Sequence, residues 1–346
     1  MNLLDSIQSY LTQEVAPRAN QLDRDPDALR EVMDHFWNEG WMALKRPDRW
    51  GGPAMDEGDF RQFQQMVARA SGALAFLQTQ HQSAVSMIAK GDNASLMDRV
   101  LPGMDSGLYK VGIGFSQLRR PGPPLMRAEL RPDGGLILNG HVPWVTGWTF
   151  YDEFLLGASL PDGRCTFCLV PLATGNGITV SPPMQLAAFE AAQTVTVDFV
   201  DYPVPPVDVA AIREGDFILR NDMINVSLQG HFAIGNARAG VDLVRAANTK
   251  RPNPALDEAA AKLEAEIDRC SDALFESDLP KADRLATRAW AIELAGRCAH
   301  AAVVAWGGAA NSLDHPAQRV YREAIVFSVS AQTPDIMRAT LERLTR

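Results

Sequence analysis

Cysteine is scarce: four residues in a chain of 346 do not make a disulfide framework. Two of them form a C-x-x-C, Cys165-Thr166-Phe167-Cys168, but no second pair completes a metal site. The apolar alternation around them reads as a strand, where residues three apart face opposite ways, so the pair is poorly placed to share an ion. Positive charge is in deficit, and a net charge of −9 sets up a field that repels nucleic acid and anionic membranes. No apolar run approaches the ~20 residues needed to span a bilayer. Met1-Asn2-Leu3-Leu4-Asp5 lacks the basic start and apolar core of a signal peptide. These absences point to a cytoplasmic, reduced protein with neither nucleic acid nor membrane as partner. A dinucleotide fingerprint is missing too: Gly112-Ile113-Gly114 has no third glycine and no helix opening behind it.

What is present is an ordinary globular composition, 46% hydrophobic and 22% charged, long enough for two or three packed units. Residues 1–106 read as a helical domain. Asp25-Pro26 is a cap followed by proline in the first turn, and Gly40 is a stop. Trp50-Gly51-Gly52 marks a loop, and helical patterns resume through Phe63 and again through His81. Residues 107–206 change texture. Short apolar runs at 109–115, 136–138, 154–156 and 194–200 are separated by turn signals at Asp133-Gly134-Gly135 and Pro161-Asp162-Gly163, the pattern of a compact β domain. The stretch 201–206, with three prolines, reads as its exit linker. Residues 207–346 read as a C-terminal four-helix bundle. One helix is expected over roughly 216–249 and another from Asn253-Pro254, with a seam at Leu256, Ala260, Leu263, Ile267, Cys270 and Leu274. A third carries Gly296 and Ala299, small residues that allow close helix approach, and further starts follow at Pro316 and Thr333-Pro334. The order is a segregated α+β arrangement.

Two stretches carry more specific information. The first is Gly135 to Gly147, a strand and Asn139-Gly140 turn followed by Trp144-Val145-Thr146. The second runs from Trp306-Gly307-Gly308 through Pro316, Arg319, Arg322 and Ala324 to Thr333. Together they resemble the acyl-CoA dehydrogenase family, and weaker matches at Asp48 to Gly52 and Val195 to Pro205 extend the resemblance over nearly the whole chain. It implies a helical N-terminal domain, a central β domain and a C-terminal helical bundle. It also implies FAD as cofactor, a small-molecule substrate such as an acyl-CoA thioester, and a homodimer or homotetramer. Carried over residue by residue, the resemblance sets Trp144 and Thr146 beside the flavin ring. Ser116 takes the place of a hydroxyl in the loop after the first strand. Arg251, Gly307, Gly308 and Thr333 fall at further cofactor positions, some of them serving a neighbouring subunit.

The departure is at the base. The family carries a Glu just before Gly-Thr in the C-terminal segment, where it takes the substrate α-proton. This chain has Ala331-Gln332-Thr333, and a methyl group accepts no proton. The alternative base position of some relatives falls at or near Asn225, which is not a carboxylate. The expected function is therefore an FAD-dependent oxidoreductase whose base position is Ala331. A flavin-dependent oxygenase on the same fold and a non-catalytic family member are the rival readings. His81 and His231 read as hydrogen-bonded structural residues. The pair Arg119/Arg120, in a Pro/Gly loop, reads as solvated unless it meets a phosphate or carboxylate.

Overall fold

Helices fill the first hundred residues because side chains at their ends fix where each begins. The computed structural model describes residues 2–276 and 279–346; Met1 and residues 277–278 lie outside the described residues. The helices are α1 (Leu3–Tyr10), α2 (Ala19–Arg24), α3 (Pro26–Asn38), α4 (Glu57–Ala70), α5 (Gly72–Ala89) and α6 (Ala94–Val100). The Asp25 carboxylate accepts from the Asp27 and Ala28 amides at 3.0 and 3.2 Å, with Pro26 in the first turn. Gly40 ends the segment at φ +71°, a conformation glycine adopts without a Cβ penalty. Ser71 separates α4 from α5 and caps α5 by accepting from the Leu74 amide. Helix α5 is buried over most of its surface, including its polar run Gln78-Thr79-Gln80-His81-Gln82.

The central unit holds β1 (Val111–Gly114), β2 (Met126–Leu130), β3 (Leu136–Thr146), β4 (Glu153–Ser159), β5 (Cys165–Pro171), β6 (Ile178–Val180), β7 (Thr194–Val204) and β8 (Val209–Arg213). The strand order is β6-β7-β3-β2-β4-β5-β8, with β1 running parallel to β4. A single parallel pair, Arg127 with Ser159, joins the antiparallel run β6-β7-β3-β2 to the group of β4, β5, β8 and β1. Phe154, Leu156, Val142, Val197 and Phe199 fill the space between them. The C-x-x-C lies on β5, both thiols buried and free.

Two boundaries differ from the sequence reading. The proline-rich stretch at 201–206 is not all linker, since β7 continues to Val204 and β8 follows at 209–213, paired with β5. Pro203 lies opposite Ile137 of β3, and β6 flanks β7 only from Val197 to Phe199. Beyond that point one side of β7 is an edge, where a missing N–H costs no ladder bond. The helix expected over 216–249 is two, α7 (Phe217–Ile224) and α8 (Leu228–Lys250). At the break the Asn225 amide donates to the Asn221 carbonyl at 2.9 Å, a side-chain bond that competes with the helical ladder. The apolar pattern continues through Val226 and Leu228, which hides the break.

The bundle is completed by α9 (Pro254–Phe275), α10 (Lys281–Trp306), α11 (Pro316–Val329) and α12 (Pro334–Leu344). The α9 seam residues Ala260, Ile267, Cys270 and Leu274 are buried as expected. Close approach between α8 and α10 rests on Gly240, not Gly296. A Cβ at Gly240 would lie 2.7 Å from the Cys298 backbone, whereas one at Gly296 would meet nothing within 4 Å. No helix among the described residues is long and apolar enough to cross a membrane. The result is the α+β arrangement read from the sequence.

Candidate active site

All three units contribute walls to one cleft of about 880 Å³, a volume within the usual range for ligand sites. Helix α5 supplies Phe76, Thr79, Gln80 and Ser83, the β domain supplies Ile113, Ser116, Trp144 and Phe167, and the bundle supplies Asp222, Leu228, Arg288, Ala331 and Thr333. Of the positions singled out in the sequence, Ser116, Trp144, Ala331 and Thr333 therefore come together. Each is placed by local geometry. Ser116 opens a 3-10 turn directly after β1. Trp144 keeps 37% of its surface exposed, a large amount for an indole in a concave wall. Thr333 caps α12 by accepting from the Ile336 amide, with Pro334 in the first turn. Ala331 sits two residues before that cap at φ +47°, a left-handed conformation uncommon for a residue with a Cβ.

Other expected residues lie elsewhere. Thr146 is buried behind the cleft, its hydroxyl 3.0 Å from the Thr194 hydroxyl. A register shift in the β3–β7 ladder between Val142 and Val145 interrupts the strand alternation, so Trp144 and Thr146 do not share an environment. Arg251, Gly307 and Gly308 form a separate exposed group at the far end of α10. There the Arg251 guanidinium donates to the Trp306 carbonyl at 3.4 Å, and none of the three lines the cleft.

His81 and His231 are both structural. The His81 ring is fully buried, with Nδ1 accepting from the Val111 amide at 3.1 Å and Nε2 lying 2.9 Å from the Met104 carbonyl. These contacts suit the neutral Nε2–H tautomer, and burial pulls the pKa down to about 4. His231 Nδ1 takes a bond from the Gln65 amide at 2.9 Å, and burial lowers its pKa to about 3.

Arg119 is not solvated, as an isolated loop arginine would be. It crosses from the loop after β1 to α7 and grips Asp222 with two bonds, 2.6 and 2.8 Å. Sequence reasoning missed Asp222 and Arg288, because each lies on a helix face whose apolar neighbours dominate the pattern. It also missed Thr79, Gln80 and Ser83. The run Gln78-Thr79-Gln80-His81-Gln82 inside an otherwise apolar helix was the available signal.

Charge on the cleft runs against the chain. Lys45, Lys90, Arg119, Arg120, Arg213 and Arg288 line it, against Glu57 and Asp222 alone among the described carboxylates. Glu57 is held by Lys45 at 2.7 Å and by Arg61 at 3.2 Å, and Asp222 is held by Arg119. An anionic ligand is therefore favoured in a protein whose net charge is −9.

Comparison with known proteins agrees with this architecture. Residues 1–107 match the family model described as acyl-CoA dehydrogenase, N-terminal domain. The 3-(aryl)acrylate reductase of Clostridium sporogenes is 21% identical over 360 residues, covering 96% of this chain and 94% of the relative. The structure of butyryl-CoA dehydrogenase from Megasphaera elsdenii superposes with a TM-score of 0.80 at 18% identity, covering 100% of both chains. An acyl-CoA dehydrogenase from Bacillus anthracis, solved in complex with FAD, gives a TM-score of 0.81 at 19% identity, covering 99% of this chain and 65% of that one. Residues 1–107 thus match the N-terminal domain of the acyl-CoA dehydrogenase family, the whole chain is similar end to end to its members, and the structure has the acyl-CoA dehydrogenase fold.

Proposed function

We propose that the protein is an FAD-dependent oxidoreductase acting on a small anionic substrate, with CoA thioesters as the first class to test. The observation that carries this reading is the uncovered Trp144 indole in a cation-lined cleft of about 880 Å³. A rigid aromatic surface in such a wall suits a flat ring, and the excess of cations suits a phosphate-bearing cofactor or substrate. The residues present fit the cofactor at Trp144, through its aromatic face, and at Ser116 and Thr333, whose hydroxyls can donate or accept. They fit it less well at Thr146, whose hydroxyl is engaged with Thr194. FAD would supply the redox chemistry. The chain's own residues bind the ring and the substrate, screen them from water and supply charge.

Ala331 sets the limit on that chemistry. General-base catalysis is typically worth ~10²–10⁴-fold, and neither carboxylate on the cleft is free of an ion pair. The same observation favours a flavin-dependent oxygenase as second reading, since such chemistry needs no α-proton base. Oxygen consumption supported by an added flavin reductase separates the two.

The helix faces at Tyr321, Ile325 and Val329 on α11 and at Met337, Leu341 and Leu344 on α12 are exposed. An apolar surface of this kind suits burial in a homodimer or homotetramer. Sedimentation measures that state directly. For the cofactor, FAD and FMN are titrated against the wild type and Trp144→Ala. Binding by the wild type, weakened at least ~10-fold in the variant, is expected. Equal and negligible binding by both would refute the reading.

A further inference from the structure

We infer that the bundle end of the cleft is a carboxylate-binding pocket built on Arg288, so that the substrate carries a free carboxylate on the part that enters deepest. This rests on the proposed function only in placing the substrate in this cleft.

Arg288 belongs to the first turns of α10 and is 1% exposed. Its Nη1 donates to the Val226 carbonyl at 3.0 Å and its Nη2 to the Ser330 carbonyl at 2.6 Å. A guanidinium has five N–H donors, and here the Nε group is buried with no partner. No described carboxylate lies within ion-pair distance of it. Two neutral carbonyls do not replace the hydration lost by a buried cation, a deficit that one anion would remove. Burial pulls the pKa down to about 10, which still leaves the group charged at neutral pH.

The surrounding charges leave the same deficit. The acid whose field Arg288 feels is Asp222, and Asp222 is already bound by both donors of Arg119. Arg284, one turn earlier on α10, adds another cation, donating to the Ile224 carbonyl at 3.4 Å. Next to Arg288 the walls are apolar: Val226 and Ile336 are 1% and 2% exposed, and Leu228 and Val326 extend the lining. A hydrocarbon segment along those walls would bring a terminal carboxylate to the guanidinium. A dianionic phosphate would find only the Arg288 guanidinium lining the cleft there, and no lysine.

The test uses matched thioesters on the purified, flavin-loaded protein. Calorimetric binding of succinyl-, glutaryl- and adipyl-CoA is compared with butyryl-, valeryl- and hexanoyl-CoA. Each pair differs by exchanging a terminal methyl for a carboxylate. The wild type is expected to prefer at least one acid over its neutral partner by ~10–100-fold, the range for a hydrogen-bonded charge, and Arg288→Gln to abolish that preference. A wild-type preference absent at every length overturns the pocket, whether or not the variant folds. So does a preference that survives unchanged in Arg288→Gln, which would make Arg288 a strut between two carbonyls. If no thioester binds, the CoA class falls, and the pocket is tested with 3-phenylpropionate against 3-phenylpropanol. A preference for the acid keeps it, and equal binding overturns it.

Discussion

Acidification from pH 7 to pH 5 should cost this protein roughly 3–4 kcal/mol of folding stability through two histidines alone. His81 and His231 are held neutral by burial, with pKa values lowered to about 4 and about 3. In the unfolded chain both return to ~6.5. A depressed histidine pKa means the unfolded state binds more protons over this range, so stability is fully present above the unfolded value and falls as pH drops toward the folded one. At pH 7 each group contributes a cost of only ~0.2 kcal/mol, and at pH 5 the cost is ~2 kcal/mol each. Protonating His81 would also turn its Nδ1 from an acceptor into a donor, exchanging the bond from the Val111 amide for one to the Val111 carbonyl at 2.9 Å. The assay is urea unfolding at both pH values for the wild type and for a His81→Gln, His231→Gln double variant. A glutamine at 81 can still donate to Met104 and accept from Val111. Other titrating groups contribute alike to both proteins, so the difference between their pH dependences isolates the histidines. The reasoning is refuted if the two proteins lose the same stability, within about 1 kcal/mol.

Three substitutions probe the frame and the loop. Gly72→Ala would set a Cβ 2.7 Å from the Glu323 carboxyl carbon and from the Phe189 ring, and thermal unfolding should show ~1–3 kcal/mol of destabilisation; an unchanged midpoint would mean the α5 start can shift freely. Glu323→Ala removes a fully buried carboxylate that accepts from Arg319 at 2.7 Å and from the Gly72 amide at 3.1 Å. Leaving Arg319 buried without its acid should cost ~3–5 kcal/mol, and a loss below 1 kcal/mol in urea titration would contradict the pairing. Ala331→Glu should add α-proton exchange into deuterated water for any acyl-CoA the protein binds, read by mass spectrometry. A folded, thioester-binding variant with no gain would show that residue 331 does not face the reacting carbon.

Much of the frame was legible because short-range chemistry fixed it. Asp25-Pro26, Asn253-Pro254 and Thr333-Pro334 cap the helices that the sequence assigns to them, since a cap depends on neighbours within one turn. The errors fall where distant contacts decide. The prolines of 201–206 read as linker because nothing local reveals that β7 has an open edge there. The break at 225–227 is masked by apolar residues that continue the helical period. Gly296 looked like the close-contact glycine, but only the mutual placement of α8 and α10 identifies Gly240. Of the positions that the resemblance points to, Trp144, Ser116, Ala331 and Thr333 line one cleft. Thr146, which the resemblance sets beside the flavin, lies behind the cleft with its hydroxyl 3.0 Å from that of Thr194. For Arg119 the sequence left solvent, phosphate or carboxylate open, because its partner carboxylate, Asp222, is 103 residues away.

The guanidinium of Arg288, on α10, reaches the short loop between α11 and α12 that carries Ala331. Ser330, whose carbonyl accepts from Arg288, is the neighbour of Ala331, so the proposed base position is tied to a guanidinium that has no carboxylate partner among the described residues. Had a carboxylate stood at 331, it would have shared this end of the cleft with a buried cation, and each would have biased the other's charge. With alanine there, the positive field of Arg288 is left for whatever enters. A carboxylate-bearing substrate would restore neutrality without supplying a base, because its own acid group would be engaged as an anchor. On this reading the absence of an acid at 331 and the anion site proposed at Arg288 are linked through charge at one end of the cleft. Measuring the thioester pairs on Ala331→Glu tests that link: a glutamate there should weaken the preference for acids over their neutral partners, since the new anion competes for the same cation.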